Sequence, residues 1–394
     1  MRIAILNYAD VANFGDVLFP FIVDHELRAR LNDAEIAFFS PSSYRLGEFR
    51  SQRYDRAELA NYDAILMCGG EIVHREDDIL CGIYARLGID RAEHIERPTD
   101  LVFDWTDLRV PFKAWIGVGM PPPSLRVAQD VARAGSNLDL IVGRGEGTRA
   151  RLLASGVPPQ RVETSPDLGW LIPRVTLDHD PQASSFRRPY CVVHALPQLE
   201  FPGSLDSAVA GLKSVQDRLG IDVICLPLTT CWSDQETLSQ LADRADGAFK
   251  ILDHRLDVFS KAAVLKSCVF YVGQSLHGLI GALAAGRPGG LSYPDLDDKF
   301  REFLASLGRS DWRIDDWRGL SALVDRLTTA PLAEILARRA RAVAEVDAMF
   351  DRLADLLRSA TEPSWTPGQP VHIRASLTST GSSPRLQRAI ADVH

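Results

Sequence analysis

His277 is the residue of this sequence whose type and setting most favour acid–base chemistry. It lies in the segment Gly273–Gly278, between an apolar run that predicts a strand and a small-residue run that predicts a helix. Free backbone N–H groups at such a helix start favour a bound anion, and histidine exchanges protons near neutral pH. A lone histidine is usually structural, but this position makes His277 a candidate general acid or base.

Two cations could bind an anionic substrate near this histidine. Arg144 stands between two glycines directly after a predicted strand, where a guanidinium could hold a carboxylate or phosphate bidentately. An ion pair with Glu146 or Asp167 is the structural alternative. Lys299, within Asp298–Phe300, is within reach of the same cleft, although by itself it would be interpreted as a surface lysine.

Two glycine-containing loops follow other predicted strands. In the first loop, Gly15 after Asn13 allows a sharp turn, and Asp16 could cap the next helix. In the second loop, Gly69 and Gly70 could turn tightly or approach a ligand. A purely structural turn is the alternative for each loop. The first loop lacks the G-x-G-x-x-G spacing of dinucleotide-binding proteins.

Alternating short apolar runs and amphipathic segments predict the elements that position these residues. The first series of predicted strands is Arg2–Asn7, Ile36–Phe39, Asp63–Cys68, Lys113–Val118 and Leu138–Val142, with helices at Val17–Leu31 and Gly147–Ala154. The second series has strands at Tyr190–His194, Asp222–Leu226 and Val269–Val272, with helices at Leu205–Leu219, Val258–Ser267, His277–Ala285 and Leu332–Leu357. Such alternation implies parallel sheets covered on both faces, with ligands beyond the carboxyl ends of the strands.

The strand–helix pattern stops at a polar segment and then restarts. We therefore predict a Rossmann-like domain over 1–175, a linker over 176–189, and a second Rossmann-like domain with a closing helix over 190–360. Residues 361–394 have little with which to fold and are predicted to be a mostly flexible tail. The predicted fold class is α/β, with two doubly wound domains facing a central cleft.

Composition narrows the function classes. A net charge of -8 with mixed signs argues against nucleic-acid binding. The N-terminus lacks the pattern of a signal peptide, and no apolar run reaches the ~20 residues that span a bilayer. We therefore expect a cytoplasmic protein that could work at a membrane surface. Six scattered cysteines without a C-x-x-C pair predict neither zinc nor disulfides, and Cys68, Cys225 and Cys268 are expected to be buried thiols. No metal or cofactor is predicted.

The sequence around His277 resembles the hallmark of the polysaccharide pyruvyl transferases. In that family a strand is followed by Ser-Arg-Leu-His-Gly and a small-residue helix that ends in Gly-x-Pro; here Gln274–Gly278 and Gly286–Pro288 stand in those places. Weaker features of the family occur in the same order, at Asn13–Asp16, Asp63–Gly70, Gly117–Gly119, Arg144, Pro166–Asp167 and Lys299. The resemblance covers about residues 1–310.

The resemblance implies a fold similar to the two-domain glycosyltransferases. It also implies transfer of a pyruvyl group from phosphoenolpyruvate to two hydroxyls of a saccharide, forming a cyclic ketal. The acceptor would be a cell-surface polysaccharide, an exopolysaccharide or a precursor that could be lipid-linked. His277 matches the catalytic histidine of the family, and Arg144 and Lys299 match its cations. The other predicted substrate-binding residues are Gln274, Ser275 and Leu276 on the donor side, and Asn13, Gly15, Asp16, Gly69 and Gly70 on the acceptor side.

Two residues depart from the family pattern. Ser275 stands where the hallmark has arginine, and Glu71 stands where a third glycine is common. Arg287, Arg144 or the helix N-terminus could compensate for the missing cation. A glycosyltransferase that uses a sugar nucleotide, and a catalytically weakened binding protein of the same fold, are the alternative hypotheses.

Overall fold

The computed structural model describes residues 1–176, 186–196, 205–293 and 298–361. Most of the linker predicted over 176–189 lies outside these ranges, because residues 177–185 are not described. The tail predicted over 361–394 also lies outside them, apart from Thr361.

The N-terminal half is built on an eight-stranded sheet. Its strands are β1 (Arg2–Leu6), β2 (Glu35–Ser40), β3 (Tyr44–Leu46), β4 (Phe49–Arg53), β5 (Ala64–Cys68), β6 (Phe112–Val118), β7 (Leu140–Arg144) and β8 (Val162–Ser165). Their order is β3-β4-β2-β1-β5-β6-β7-β8, and every pair is parallel except β3 with β4. The inner strands β5 and β6 are buried throughout, as expected where helices cover both faces.

Within residues 1–176, seven α-helices accompany this sheet: α1 (Phe14–Arg28), α2 (Arg56–Leu59), α3 (Asp77–Arg86), α4 (Asp100–Phe103), α5 (Leu125–Gly135), α6 (Glu146–Ala154) and α7 (Ile172–Thr176). The two-stranded β3–β4 hairpin is absent from the sequence prediction. Its strands are short and rich in polar residues, so they lack the apolar run by which the other strands are recognised.

The C-terminal half repeats the architecture with a six-stranded parallel sheet. Its strands are β9 (Tyr190–Val193), β10 (Asp222–Cys225), β11 (Phe249–Ile251), β12 (Tyr271–Gly273), β13 (Gly289–Ser292) and β14 (Arg313–Ile314), in the order β11-β10-β9-β12-β13-β14. Its helices are α8 (Leu205–Leu219), α9 (Asp234–Arg244), α10 (Val258–Ser267), α11 (Leu276–Ala284), α12 (Asp298–Ser306), α13 (Leu320–Thr329) and α14 (Leu332–Ala360). The predicted fold class, α/β with two Rossmann-like sheets, is confirmed.

The start of α1 differs from the prediction. The helix begins at Phe14, and its N-cap is Asn13, whose side-chain oxygen accepts the N–H of Gly15 at 3.2 Å. The expectation that Asp16 caps the helix was therefore wrong. Asn13 has the extended backbone of an N-cap, and it comes three residues before Asp16. Asp16 instead lies in the first turn, where its side chain can face the space between the halves.

The end of β7 also differs from the prediction. The strand continues past Val142 to Arg144, because Gly143 and Arg144 pair with Thr164 and Ser165 of β8. The sequence did not predict β8, so it could not show that these residues have a pairing partner. Arg144 is therefore held by backbone hydrogen bonds of the sheet and does not lie in a free loop.

The long helix α14 returns to the N-terminal half. Arg30, which follows α1, and Arg174 of α7 both form ion pairs with Asp347, and Arg352 pairs with Glu163 of β8. The helix also packs against α11 of the C-terminal half. The helix thus contacts both halves, although the sequence pattern assigned it to the C-terminal domain.

Among the helices of the described ranges, none is long and apolar enough to cross a membrane. All six cysteines are free, and Cys68, Cys225 and Cys268 are buried, as the sequence predicts. Burial raises the pKa of the Cys68 thiol, which suits a packing role and not a reactive one.

Candidate active site

A cavity of about 530 Å³ lies between the carboxyl ends of the two sheets, where open α/β folds bind ligands. The polar side chains in its wall come from both halves: Asn13, Asp16, Glu71, His74 and Arg144 from the first, and His194, Thr229, Gln274, Ser275, His277 and Lys299 from the second. A larger cavity of about 860 Å³ opens around Arg75, Arg91 and Arg97. None of the predicted site residues lines that second cavity.

The ring of His277 is held between the halves by tight packing. His277 lies in the first turn of α11, and its ring rests on Gly15 of α1 so closely that a Cβ at Gly15 would overlap it. Phe19 meets the ring edge-on, with centroids 5.1 Å apart. A Cβ at Gly69 would in turn overlap the ring of Phe19. Gly15 and Gly69 therefore make room for the histidine.

Asp167 lies between His277 and Arg144. Its Oδ2 is 3.6 Å from Nε2 of His277 and 3.1 Å from a guanidinium nitrogen of Arg144. Burial alone would raise the pKa of Asp167, but His277, Arg144 and the N–H of Gly169 lower it to about 2. Asp167 is therefore a carboxylate at any physiological pH, and it lies beside the His277 ring.

Lys299 of α12 reaches across the cavity to Glu71. Its Nζ is 2.5 Å from the Glu71 carboxylate. Burial by itself raises the pKa of Glu71, but attraction to Lys299 and Arg144 outweighs burial and the pKa is lowered. The glutamate that replaces the expected glycine thus holds one of the two predicted anion-binding cations. An anionic ligand has to compete with Glu71 for this lysine.

Asp16 is the carboxyl group of the site that titrates nearest to neutral pH. Burial raises its pKa to about 6, although His277, Arg144 and Lys299 each lower it. A Cβ at Gly70 would lie 2.8 Å from an oxygen of Asp16, so this glycine leaves room for the carboxyl group. A carboxyl group with this pKa can exchange a proton near neutral pH.

Ser275 serves as a structural cap in the place of the expected arginine. The Oγ of Ser275 accepts the N–H of Gly278 at 3.1 Å. The backbone N–H of Ser275 donates to the Tyr271 hydroxyl at 3.2 Å. The suggestion that Arg287 compensates for the missing cation was wrong. Arg287 follows the far end of α11, is exposed, and donates to the backbone oxygen of Lys266.

The structure brings most of the predicted site residues to one cavity. Those that line it are Asn13, Asp16, Arg144, Gln274, Ser275, Leu276, His277 and Lys299. Those that lie behind its wall are Gly15, Gly69 and Gly70, which pack under His277, Phe19 and Asp16 respectively. The group unites two cations, a histidine and the carboxyl group of Asp16, so it can bind an anion and transfer a proton.

Sequence reasoning missed part of the wall. His194 was taken as the last residue of a strand, and Thr229 was not singled out, yet both line the cavity. The signal was present for His194, because a polar residue directly after a parallel strand is a candidate by the same rule that selected Arg144. Thr229 lies in the β10–α9 loop, where no sequence pattern distinguishes it.

A family model described as polysaccharide pyruvyl transferase matches residues 13–290 of the chain. No curated protein sequence is significantly similar to it.

Several solved structures share the fold. UDP-GlcNAc 2-epimerase from Methanocaldococcus jannaschii has 10% identity and a TM-score of 0.57, over 91% of this chain and 100% of the other. A UDP-forming trehalose-phosphate synthase from Burkholderia vietnamiensis has 14% identity and a TM-score of 0.53, over 93% and 98%. S. aureus MnaA with UDP has 10% identity and a TM-score of 0.53, over 86% and 91%. The likeness is to the two-domain glycosyltransferase-like fold.

Proposed function

The chain belongs to the polysaccharide pyruvyl transferase family, and on that premise we propose that it moves the pyruvyl group of phosphoenolpyruvate onto a saccharide. The product is a pyruvate ketal on a cell-surface polysaccharide or exopolysaccharide, or on its precursor. The observation that carries the proposal is the meeting of His277, Arg144 and Lys299 at one cavity between the two halves.

The donor binds through its two anionic groups. Arg144 and Lys299 offer a guanidinium and an ammonium to the phosphate and carboxylate of phosphoenolpyruvate. Glu71 and Asp167 already pair with these cations, so donor binding exchanges one set of anionic partners for another. The first turn of α11 adds its N-terminal dipole, because Ser275 satisfies only the N–H of Gly278 there.

His277 is the proton donor in this proposal. The Asp167 carboxylate lies 3.6 Å from Nε2 of its ring. His277 gives its proton to the methylene carbon of the donor, and the electron pair of the double bond forms the new C–H bond. The neighbouring carbon becomes electrophilic, the oxygen of a first acceptor hydroxyl bonds to it, and the proton of that hydroxyl passes to the departing phosphate. Phosphate leaves with the electrons of its C–O bond. The second hydroxyl then closes the ketal and returns its proton to His277.

The acceptor contacts Asn13 and Asp16, which the N-terminal half contributes to the cavity wall. Side-chain oxygens of this kind accept hydrogen bonds from sugar hydroxyls. The acceptor is a saccharide that could be lipid-linked, and the protein is expected to act in the cytoplasm at the membrane periphery.

Release of phosphate from phosphoenolpyruvate tests the proposal. The acceptor probe is the glycolipid and polysaccharide fraction extracted from a deletion strain, which contains the unmodified acceptor. We expect release that requires this fraction and that falls by at least about 100-fold in His277→Asn. The matched control is His254→Asn, because His254 is outside the cavity and partly exposed. Absence of release by the wild-type protein would contradict the proposal.

A glycosyltransferase that uses a sugar nucleotide is the second candidate. Ser275 in place of the hallmark arginine favours it, since the donor site has one cation fewer. Titration with uridine diphosphate and with phosphoenolpyruvate separates the two candidates. Binding of the nucleotide alone would select the glycosyltransferase. Full function of His277→Asn in cells would instead select a binding protein.

A further inference from the structure

A second histidine–aspartate pair lies within the C-terminal half. His194 directly follows β9, and Asp234 is the first residue of α9. The Nε2 of His194 is 3.1 Å from Oδ2 of Asp234, and both side chains are fully buried. The same carboxylate oxygen accepts the backbone N–H groups of Leu228 and Thr229 at 2.7 and 2.8 Å. The pair is therefore fixed by the fold of one half alone.

These hydrogen bonds determine the tautomer of His194. The Asp234 oxygen already accepts two backbone N–H groups, so it acts as a carboxylate acceptor toward the histidine as well. Nε2 of His194 therefore carries the hydrogen, and Nδ1 has a free lone pair. Within the described residues Nδ1 has no hydrogen-bond partner, although it is buried. A carboxylate that orients an imidazole in this way is the arrangement that activates a histidine base.

Other buried polar atoms without partners accompany this nitrogen, and two of them belong to neutral side chains of the cavity wall. Nε2 of Gln274 and Oγ1 of Thr229 form no hydrogen bond with any described residue. The Gln274 carbonyl oxygen accepts the N–H of Leu196 at 2.7 Å, which fixes the orientation of the amide. Buried polar groups in proteins are nearly always hydrogen-bonded. Since His194, Gln274 and Thr229 line the same cavity, a ligand in that cavity is the natural source of the missing bonds.

The chemistry of this group suits hydroxyls. It combines a nitrogen acceptor, an amide donor and a hydroxyl that both donates and accepts. None of the three is a cation, in contrast to Arg144 and Lys299 elsewhere in the wall. Trp232 adds an aromatic side chain to the same cavity. A neutral set of donors and acceptors beside an aromatic ring fits a saccharide better than a phosphate.

We propose that His194 is the base that takes the proton of the first acceptor hydroxyl, with Thr229 and Gln274 binding that sugar and Asp234 positioning the ring. This inference rests on the function proposed above. The reaction requires a second base, because His277 starts protonated and gives its proton to the donor carbon. The oxygen of the first hydroxyl bonds to the electrophilic carbon, and its proton moves to Nδ1 of His194. That proton then passes to the departing phosphate, so both histidines return to their starting states.

The test is steady-state kinetics of the full chain with phosphoenolpyruvate and the extracted acceptor fraction. We expect His194→Ala to lower kcat by at least about 100-fold, the size of a general-base contribution, with binding of phosphoenolpyruvate unchanged by direct titration. Added imidazole is expected to restore part of the rate, which a purely structural role would not allow. His94→Ala is the matched control, because His94 is also buried but does not line this cavity.

Two conservative variants protect the test against misfolding. Thr229→Val keeps the shape of the side chain and is expected to raise the KM of the acceptor several-fold, leaving that of the donor unchanged. Asp234→Asn is expected to lower kcat as well, because an amide can donate to Nε2 and reverse the tautomer of His194.

A wild-type rate in His194→Ala, or an unchanged acceptor KM in Thr229→Val, would overturn this inference and leave the role of His277 standing. If the wild-type protein releases no phosphate, the proposed function and this inference both fail.

Discussion

The two histidine–aspartate pairs face the same cavity but are built differently. His277 and Asp167 come from different halves, and their ring nitrogen and oxygen are 3.6 Å apart, which is longer than a hydrogen bond. His194 and Asp234 come from one half and are hydrogen-bonded at 3.1 Å. Arg144 and Asp16 lie near the first pair, whereas the Asp234 carboxylate of the second accepts two backbone N–H groups. The first pair therefore depends on how the two halves meet, and the second is preorganised within its own sheet.

Gly15→Ala is the change that should disturb the inter-half pair most. A Cβ at this position would overlap the ring of His277, so the ring must leave its place or the halves must separate. We expect loss of activity of about 100-fold, comparable with removal of an acid–base group, measured as acceptor-dependent phosphate release. Gly82→Ala is the control, since a Cβ there meets nothing within 4 Å. Equal activity of the two variants would show that the position of His277 is not critical.

Asp167→Asn removes the negative charge of the same pair and keeps the size of the side chain, so it tests the electrostatic contribution alone. The pKa of Asp167 is lowered from 3.8 to about 2, so the carboxylate stabilises the fold by about 2 kcal/mol above pH 4. This contribution is lost as the pH falls from about 4 to about 2, because Asp167 takes up its proton at a higher pH in the unfolded state than in the folded state. The free energy of unfolding, measured with urea, should fall over this pH range in the wild-type protein and not in Asp167→Asn. The same pH dependence in both proteins would contradict the electrostatic interpretation.

Asp16→Asn is expected to change stability in the opposite direction from Asp167→Asn. The pKa of Asp16 is raised from 3.8 to about 6, so its ionisation destabilises the fold, and wild-type stability falls as the pH rises from about 4 to about 6. Since the side chain is partly exposed, we expect the variant to be more stable at pH 8 by about 1–2 kcal/mol, a value discounted for screening. At pH 4 the two proteins should unfold at nearly equal urea concentration. A variant that is less stable at pH 8 would show that the charge of Asp16 is compensated.

Ser275→Ala is expected to have the smallest effect of these substitutions. It should affect the His277–Asp167 pair and leave the His194–Asp234 pair unchanged. Removing the Oγ bond to the N–H of Gly278 is expected to cost about 1 kcal/mol of stability, as for other N-caps. Ser275→Thr, which keeps a capping hydroxyl, is the control for thermal unfolding. The first turn of α11 holds His277 but not His194, so kcat should fall modestly while acceptor KM stays constant. A shift in acceptor KM alone would mean that the cap supports the other pair.

Much of the fold was predictable because strong local patterns agree with the tertiary structure. Helices α8 and α10 have the predicted bounds, Leu205–Leu219 and Val258–Ser267. The errors fall where the deciding contact is distant in sequence. Strand β7 extends to Arg144 because β8 pairs with it, and the β3–β4 hairpin depends on pairing with β2. Short polar strands show little local preference, so only their neighbours determine them.

The sequence by itself determined the α/β class, the strand-to-helix position of His277 and the resemblance of its surroundings to a family hallmark. These properties depend on residues close together in the chain, whose periodicity and type are visible without a structure. Only the tertiary structure decided that Glu71 holds Lys299, that Asp167 lies between His277 and Arg144, and that His194 shares their cavity. Each of these depends on contacts between segments far apart in the chain, and burial and charge at those contacts shift the pKa values of the carboxyl groups.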